Sequence, residues 1–146
     1  MTEPRDVGAK TNYERFAPPR DPTLAGLLEA VHAGTVQLYW AAVPIKCIRP
    51  FSATFNPADE LWKQAVETLK GRIRAKDYAW MLVYQTGDFF VMSDDYPVYY
   101  AYLECESTHA PCYILGEPRG THVAEARIAS SAEVDTVLRP VLPTVD

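Results

Sequence analysis

The sequence is poor in cysteine, in net positive charge and in long apolar runs. Its three cysteines are an odd number and too few for a disulfide framework, which favours a reducing compartment such as the cytoplasm. No apolar stretch approaches the roughly 20 residues that a membrane helix requires. The first ten residues are polar and contain no signal-peptide core. These absences predict a soluble, cytoplasmic protein without a membrane role.

Basic residues are outnumbered, since 14 Lys and Arg face 19 Asp and Glu and leave a formal net charge of −5. Nucleic-acid binding would therefore need a local basic patch, because a phosphate footprint depends on clustered cations. The clearest such cluster is Lys70, Arg72, Arg74 and Lys76, near the end of a predicted helix. Cations at that position also stabilise a helix through its dipole. The cluster thus has two interpretations, phosphate contact and helix stabilisation, and the second is the simpler.

The length and composition suit one globular domain. A chain of 146 residues with 48% hydrophobic residues can bury a single core of ordinary size. Residues 1–21 are polar and contain three prolines, which predicts a flexible N-terminal arm. Residues 22–146 are predicted to form one domain, with its core at about residues 43–116.

Hydrophobic periodicity and turn residues predict an α/β protein, with helices packed on a mixed sheet. The helices are expected at 22–33 with Asp21 as N-cap, at 57–75 with Asn56 as cap, at 95–105, and after Ser130 in a capping box with Glu133 that Pro140 ends. The strands are expected at 35–40, 45–48, 80–84, 89–92, 111–115 and 121–128, with 80–92 forming a hairpin covered on both faces.

Three segments carry a family resemblance. Residues 43–50 read VPIKCIRP, residues 82–94 read LVYQTGDFFVMSD, and residues 110–116 read APCYILG. Together with the helices between them, they resemble the ParB/sulfiredoxin-like fold over about half of the chain. The resemblance rests on element order and apolar pattern, and it implies a compact sheet-and-helix core.

The sequence departs from that family at its functional turn. ParB-like proteins carry a glycine and an arginine there to bind nucleotide phosphates, and sulfiredoxins place a cysteine beside such an arginine. Residues 93–99 of this chain read SDDYPVY, with no glycine, arginine or cysteine. Two adjacent carboxylates would repel phosphate, so the phosphate chemistry of the family is not carried over.

The same turn is nevertheless the first candidate ligand site, because it joins a predicted strand end to a helix N-terminus. The candidate ligand-binding residues are Ser93, Asp94, Asp95, Tyr96 and Tyr99. Asp94 and Asp95 could hold Mg²⁺ through their carboxylate oxygens. The simpler alternative is that one aspartate caps the helix while the other is solvated or pairs with an arginine.

Two further groups of side chains have structural and functional interpretations. Cys105, His109 and Cys112 offer zinc-type ligands, but the spacing is not a standard one and a fourth ligand is missing. The inner face of the 95–105 helix is expected to consist of Val98, Tyr99, Tyr102 and Leu103. The tyrosines of this helix suit either a core with hydroxyls at its rim or a surface for stacking with a partner.

Three functions follow as hypotheses. The first is a non-catalytic binding or regulatory module on a ParB-like scaffold, which recognises a protein partner or a small ligand. The second is a metal-dependent nuclease or nucleotide hydrolase that uses Asp94 and Asp95. The third is a DNA-associated accessory protein that uses the cluster from Lys70 to Lys76.

Overall fold

The computed structural model describes residues 21–51, 60–92 and 96–138, without the side chains of residues 61 and 62. Along the chain, single helices alternate with pairs of strands. The helices are α1 (Pro22–Ala33), α2 (Glu60–Arg74), α3 (Tyr96–Glu104) and α4 (Ser131–Leu138). The strands are β1 (Leu38–Pro44), β2 (Ile48–Pro50), β3 (Met81–Thr86), β4 (Phe89–Met92), β5 (His109–Leu115) and β6 (Arg127–Ile128). Two 3-10 turns lie at Ile45–Cys47 and Thr121–Val123.

The strands form one mixed sheet in the order β2-β4-β3-β5-β1-β6. Strand β3 pairs parallel with β5, and β2 pairs parallel with β4. The other pairs, β1 with β5, β1 with β6 and β3 with β4, are antiparallel. The predicted α/β class with a mixed sheet is confirmed.

Each face of the sheet is covered by a pair of helices, because the central strands alternate apolar side chains between the two faces. Met81 and Val83 of β3 point into the core under α2 and α3, whereas Leu82 and Tyr84 point into the core under α1 and α4. The prediction that the hairpin is covered on both faces is therefore confirmed for β3. The core under α1 and α4 extends beyond residues 43–116, since these two helices supply much of it.

The first strand differs from its prediction at both ends. Strand β1 begins at Leu38 rather than Thr35, because the N–H groups of Thr35 and Val36 bond back to the Ala30 carbonyl and close helix α1. Pro44 ends β1, and the following residues form a 3-10 turn instead of the expected extended segment.

Two further predictions were wrong. The segment 121–128 is not a strand: it begins as a 3-10 turn, and only Arg127–Ile128 pairs with β1. Leu103 was expected on the inner face of its helix, but it is 40% exposed, and Ala101 is fully buried there instead.

Several predicted features lie outside the described residues. They are most of the N-terminal arm, the helix start with its cap Asn56, the turn at Ser93, Asp94 and Asp95, and the stop at Pro140. Within the described ranges, no helix is long and apolar enough to cross a membrane.

Candidate functional site

The two tyrosines of the sequence-predicted site lie in helix α3, immediately after the turn 93–95, which is not described. Tyr96 is buried in the core under α2 and α3. Tyr99 is half-buried, and its ring meets Tyr100 edge-on with 5.3 Å between the centroids. Burial, followed by the proximity of Tyr100, raises the pKa of the Tyr99 hydroxyl. Tyr96 thus contributes mainly to packing, and Tyr99 is the more accessible of the two.

Two members of the basic cluster are engaged by carboxylates. Lys70 donates to Glu67 at 3.0 Å and to Glu104 at 2.9 Å, and the bond to Glu104 contributes most to the raised pKa of the lysine. Arg72 pairs with Asp77 at 3.0 Å. These ion pairs join α2 to α3 and to the loop after α2, so both cations have a structural partner.

The other two basic residues, Arg74 and Lys76, are exposed. Lys76 stands in the turn after α2 with a φ of 64°. With Lys70 and Arg72 already paired, these two cations remain as the exposed part of the predicted phosphate-contact cluster. A phosphate footprint of ordinary affinity uses more cations than two.

The zinc-type side chains are dispersed. Cys112 is buried on β5 and contacts the Ala110 carbonyl, while Cys105 lies 4.0 Å from the Lys70 carbonyl. His109 is exposed and its Nδ1 lies 3.1 Å from the Thr108 hydroxyl. Among the described residues, no three His, Cys, Asp or Glu side chains are grouped as metal ligands.

A groove of about 640 Å³ opens where the parallel strands β3 and β5 end. Its wall on the β3 side comes from the β3–β4 turn, and its wall on the β5 side comes from the loop 116–120. In open α/β sheets, ligands bind preferentially outside the carboxyl ends of parallel strands. A volume of this size is also within the usual range for small-molecule sites. This groove is therefore the strongest candidate site, and it is defined here by Leu27, Tyr84, Gln85, Gly87, Asp88, Leu115, Gly116, Glu117, Arg119 and Gly120.

The side chain of Gln85 fixes the two walls of the groove to each other. Its Nε2 donates to the Arg119 carbonyl at 2.8 Å and to the Gly87 carbonyl at 3.0 Å. Its Oε1 accepts from the Arg119 N–H at 2.7 Å. One amide therefore satisfies both backbone groups of Arg119, and the loop 116–120 is held against the β3–β4 turn without a strand ladder.

Glycines at positive φ shape the rim of the groove. Gly87, Gly116 and Gly120 have φ values of 59°, 113° and 115°. A Cβ at any of them would meet no atom within 4 Å, so the backbone conformation, rather than crowding, favours glycine at these positions. The side-chain-free rim leaves backbone groups accessible from the groove.

The floor of the groove is anchored to helix α1. Tyr84 donates its hydroxyl to Asp21, which is 1% exposed and also accepts the Thr23 N–H as N-cap of the helix. The predicted capping role of Asp21 is confirmed. Burial, with the bond to Asp21, raises the pKa of Tyr84 to about 12, so this hydroxyl stays protonated at neutral pH.

Part of this groove is predictable from the sequence. The predicted strands at 80–84 and 89–92 leave residues 85–88 as a hairpin turn, and the predicted strand at 111–115 ends before Gly116. What the sequence did not indicate is that β3 and β5 are parallel neighbours, because that pairing is set by the sheet order and joins residues about 30 positions apart. The role of Gln85 was missed for the same reason, since its partner Arg119 lies 34 positions away.

No family model matches the chain, and no curated protein matches it.

Proposed function

We propose that this chain is a non-catalytic binding module that recognises a small ligand in the groove at the carboxyl ends of β3 and β5. The observation that carries the proposal is the loop 116–120, which Gln85 holds rigidly beside two parallel strand ends. A preformed site of this kind avoids the entropic cost of ordering a loop when the ligand binds.

The side chains of the groove favour binding over catalysis. Among the described residues, those that line the groove include no serine, cysteine or histidine that could act as a nucleophile or as a base near neutral pH. Tyr84 is tied to Asp21 and keeps its proton. What the lining offers is hydrogen-bonding backbone, exposed charge and a small apolar floor.

The proposal includes descent from a ParB/sulfiredoxin-like scaffold, supported by the order of elements from β1 to β5. The site proposed here is not the phosphate-binding turn of that family. Because β4 runs antiparallel to β3, the carboxyl end of β4 lies at the opposite end of the sheet from the groove. Residues 93–95, which the sequence predicted as part of a site, follow that end of β4 in the chain. The two locations can therefore be tested separately.

Mapping of backbone amide resonances tests the function. The full chain is titrated with a panel of several hundred chemically diverse metabolites and fragments, and amide shifts are assigned to residues. We expect the binders to shift Gln85, Gly87, Gly116 and Gly120 together, because these residues line one groove.

Two other regions serve as internal controls in the same spectra. Thr108 and His109 line two shallow hollows of about 440 and 520 Å³ at the other end of β5. Tyr96 and Tyr99 report on the turn after β4. Shifts confined to either region, with the groove unmoved across the whole panel, would refute the proposed function.

A further inference from the structure

The groove presents charges of both signs that are not paired with each other. Asp88, Glu117 and Arg119 all line it, and all three are exposed. Within the described part of the chain, the ion pairs involve other residues, namely Lys70, Arg72 and Arg127 with their carboxylate partners. A ligand that enters the groove therefore meets one cation and two carboxylates that have no ion-pair partner among the described residues.

The cation has a fixed point of attachment. Both backbone groups of Arg119 are held by the Gln85 amide, at 2.7 and 2.8 Å, while its guanidinium carries no part of that clamp. An arginine whose main chain is already ordered loses less freedom when its planar fork binds a carboxylate in two-point fashion. The guanidinium is thus well placed to take a carboxylate from a ligand.

The carboxylates stand on both walls of the groove. Asp88 belongs to the β3–β4 turn, and Glu117 follows Gly116 in the facing loop. A carboxylate binds an ammonium group through charge-assisted hydrogen bonds. A ligand with carboxylates alone would leave Asp88 and Glu117 without a counter-charge, and a ligand with ammonium groups alone would leave Arg119 without one.

Between the charges, the groove has an apolar floor. Leu115 and the ring of Tyr84 are buried there, and the half-buried Leu27 of α1 adjoins them. This floor suits an aliphatic side chain, since apolar contact stabilises a ligand in proportion to the area removed from water.

Resting on the proposed function, we infer that the groove binds a small aliphatic zwitterion, that is, a free amino acid or a short peptide whose two termini are unmodified and therefore charged. Arg119 holds the carboxylate of the ligand, Asp88 and Glu117 hold its ammonium group, and the floor at Leu27, Tyr84 and Leu115 receives its side chain.

Calorimetric titration with a matched series of probes tests this inference. The probes are L-leucine, L-leucylglycine, N-acetyl-L-leucylglycine and L-leucylglycine amide. The last two remove the ammonium group and the carboxylate, respectively, and leave the side chain unchanged. We expect the zwitterion to bind at least about tenfold more tightly than either blocked form, which corresponds to about 1.4 kcal/mol. Comparison of leucine with leucylglycine distinguishes an amino acid from a peptide.

Charge variants connect the selectivity to the named residues. In Arg119→Gln, the backbone clamp is retained, so the zwitterion should lose about tenfold in affinity and no longer be preferred over the amide. In Asp88→Asn/Glu117→Gln, the preference over the acetylated form should disappear. Arg74→Gln, which changes an exposed arginine on α2, is the matched control and should bind as the wild type does. Melting temperatures establish that each variant is folded.

The outcomes separate the ligand class from the function. If the blocked forms bind the groove as tightly as the zwitterion, or if none of the four probes binds, the zwitterion inference is overturned. The proposed function is then decided by the wider panel. A ligand of another class that shifts the groove amides would support the function, and a panel in which no compound shifts them would refute it.

Discussion

Glu133 is the most heavily bonded acidic side chain among the described residues. It accepts from both Nη atoms of Arg127 at 2.8 Å, from the Ser130 N–H at 2.8 Å and from the Tyr113 hydroxyl at 2.7 Å. The Ser130 hydroxyl in turn accepts the Glu133 N–H at 3.2 Å, which confirms the predicted capping box. The sequence indicated only this local half of the arrangement, because Arg127 and Tyr113 reach Glu133 through the tertiary fold.

These bonds make stability depend on pH in the acid range. The Arg127 guanidinium, followed by the Ser130 N–H and the Tyr113 hydroxyl, holds the pKa of Glu133 well below its usual value. A carboxylate whose pKa is lower in the folded state stabilises the fold above the unfolded pKa, about 4.3, and loses that contribution as the pH falls toward the folded value. We therefore expect Glu133→Gln to cost about 1–2 kcal/mol at pH 7 and progressively less at lower pH.

Urea unfolding of the wild type and Glu133→Gln from pH 7 down to pH 3 measures this difference. Glu29→Gln, on the exposed side of α1, is the control and should show no such convergence. A gap between wild type and Glu133→Gln that stays constant over this range would contradict the assignment.

At the scale of the element, helix α3 shows that hydrophobic periodicity does not always identify the buried face of a helix. The helix is rich in tyrosine on several sides, so the apolar pattern does not single out one face. The inner face that the sequence predicted consists of Val98, Tyr99, Tyr102 and Leu103. In the structure, Val98 and Tyr102 are buried, and the Tyr102 hydroxyl donates to the Ala79 carbonyl at 2.7 Å, but Ala101 takes the place expected for Leu103. A small residue fits this fully buried position of a helix that packs on α2.

Two substitutions in α3 distinguish the observed face from the expected one. Ala101→Leu inserts volume into a fully buried position and should destabilise the fold by about 1–3 kcal/mol. Leu103→Ala removes an exposed side chain and should change the free energy of unfolding by no more than about 0.5 kcal/mol. Thermal or urea unfolding of both variants measures the contrast. The reverse order of the two effects would show that the helix is rotated about its axis.

At the scale of the whole molecule, the sequence predicted the elements better than their arrangement. The strands β3, β4 and β5 and the helices α1 and α2 were recognisable, because each has a local apolar pattern and local turn or capping residues. The sheet order was not, since it depends on pairings such as β1 with β5, which join residues more than 60 positions apart. For this reason, the sequence indicated a candidate site after β4, whereas the structure adds the groove beside β3 and β5.

The groove brings together features from separate parts of the described chain. The parallel pairing of β3 and β5, the glycines at positive φ and the amide clamp of Gln85 meet at one place. The helix α1 contributes to the same place through Leu27 and through Asp21, which fixes Tyr84. Because the proposed site is assembled from three separate segments of the chain, it is a property of the fold rather than of any one motif.

In our proposal, the Gln85 clamp makes this groove a preformed binding site. The most direct test compares, by calorimetry, the dissociation constant of the tightest groove binder for the wild type, Gln85→Ala and Gln64→Ala. Gln64 lies on the exposed side of α2, so its replacement controls for the loss of a glutamine amide. We expect the affinity of Gln85→Ala for the binder to be at least about tenfold weaker than that of the wild type, and the affinity of Gln64→Ala to be unchanged. Equal affinity in all three proteins would contradict it.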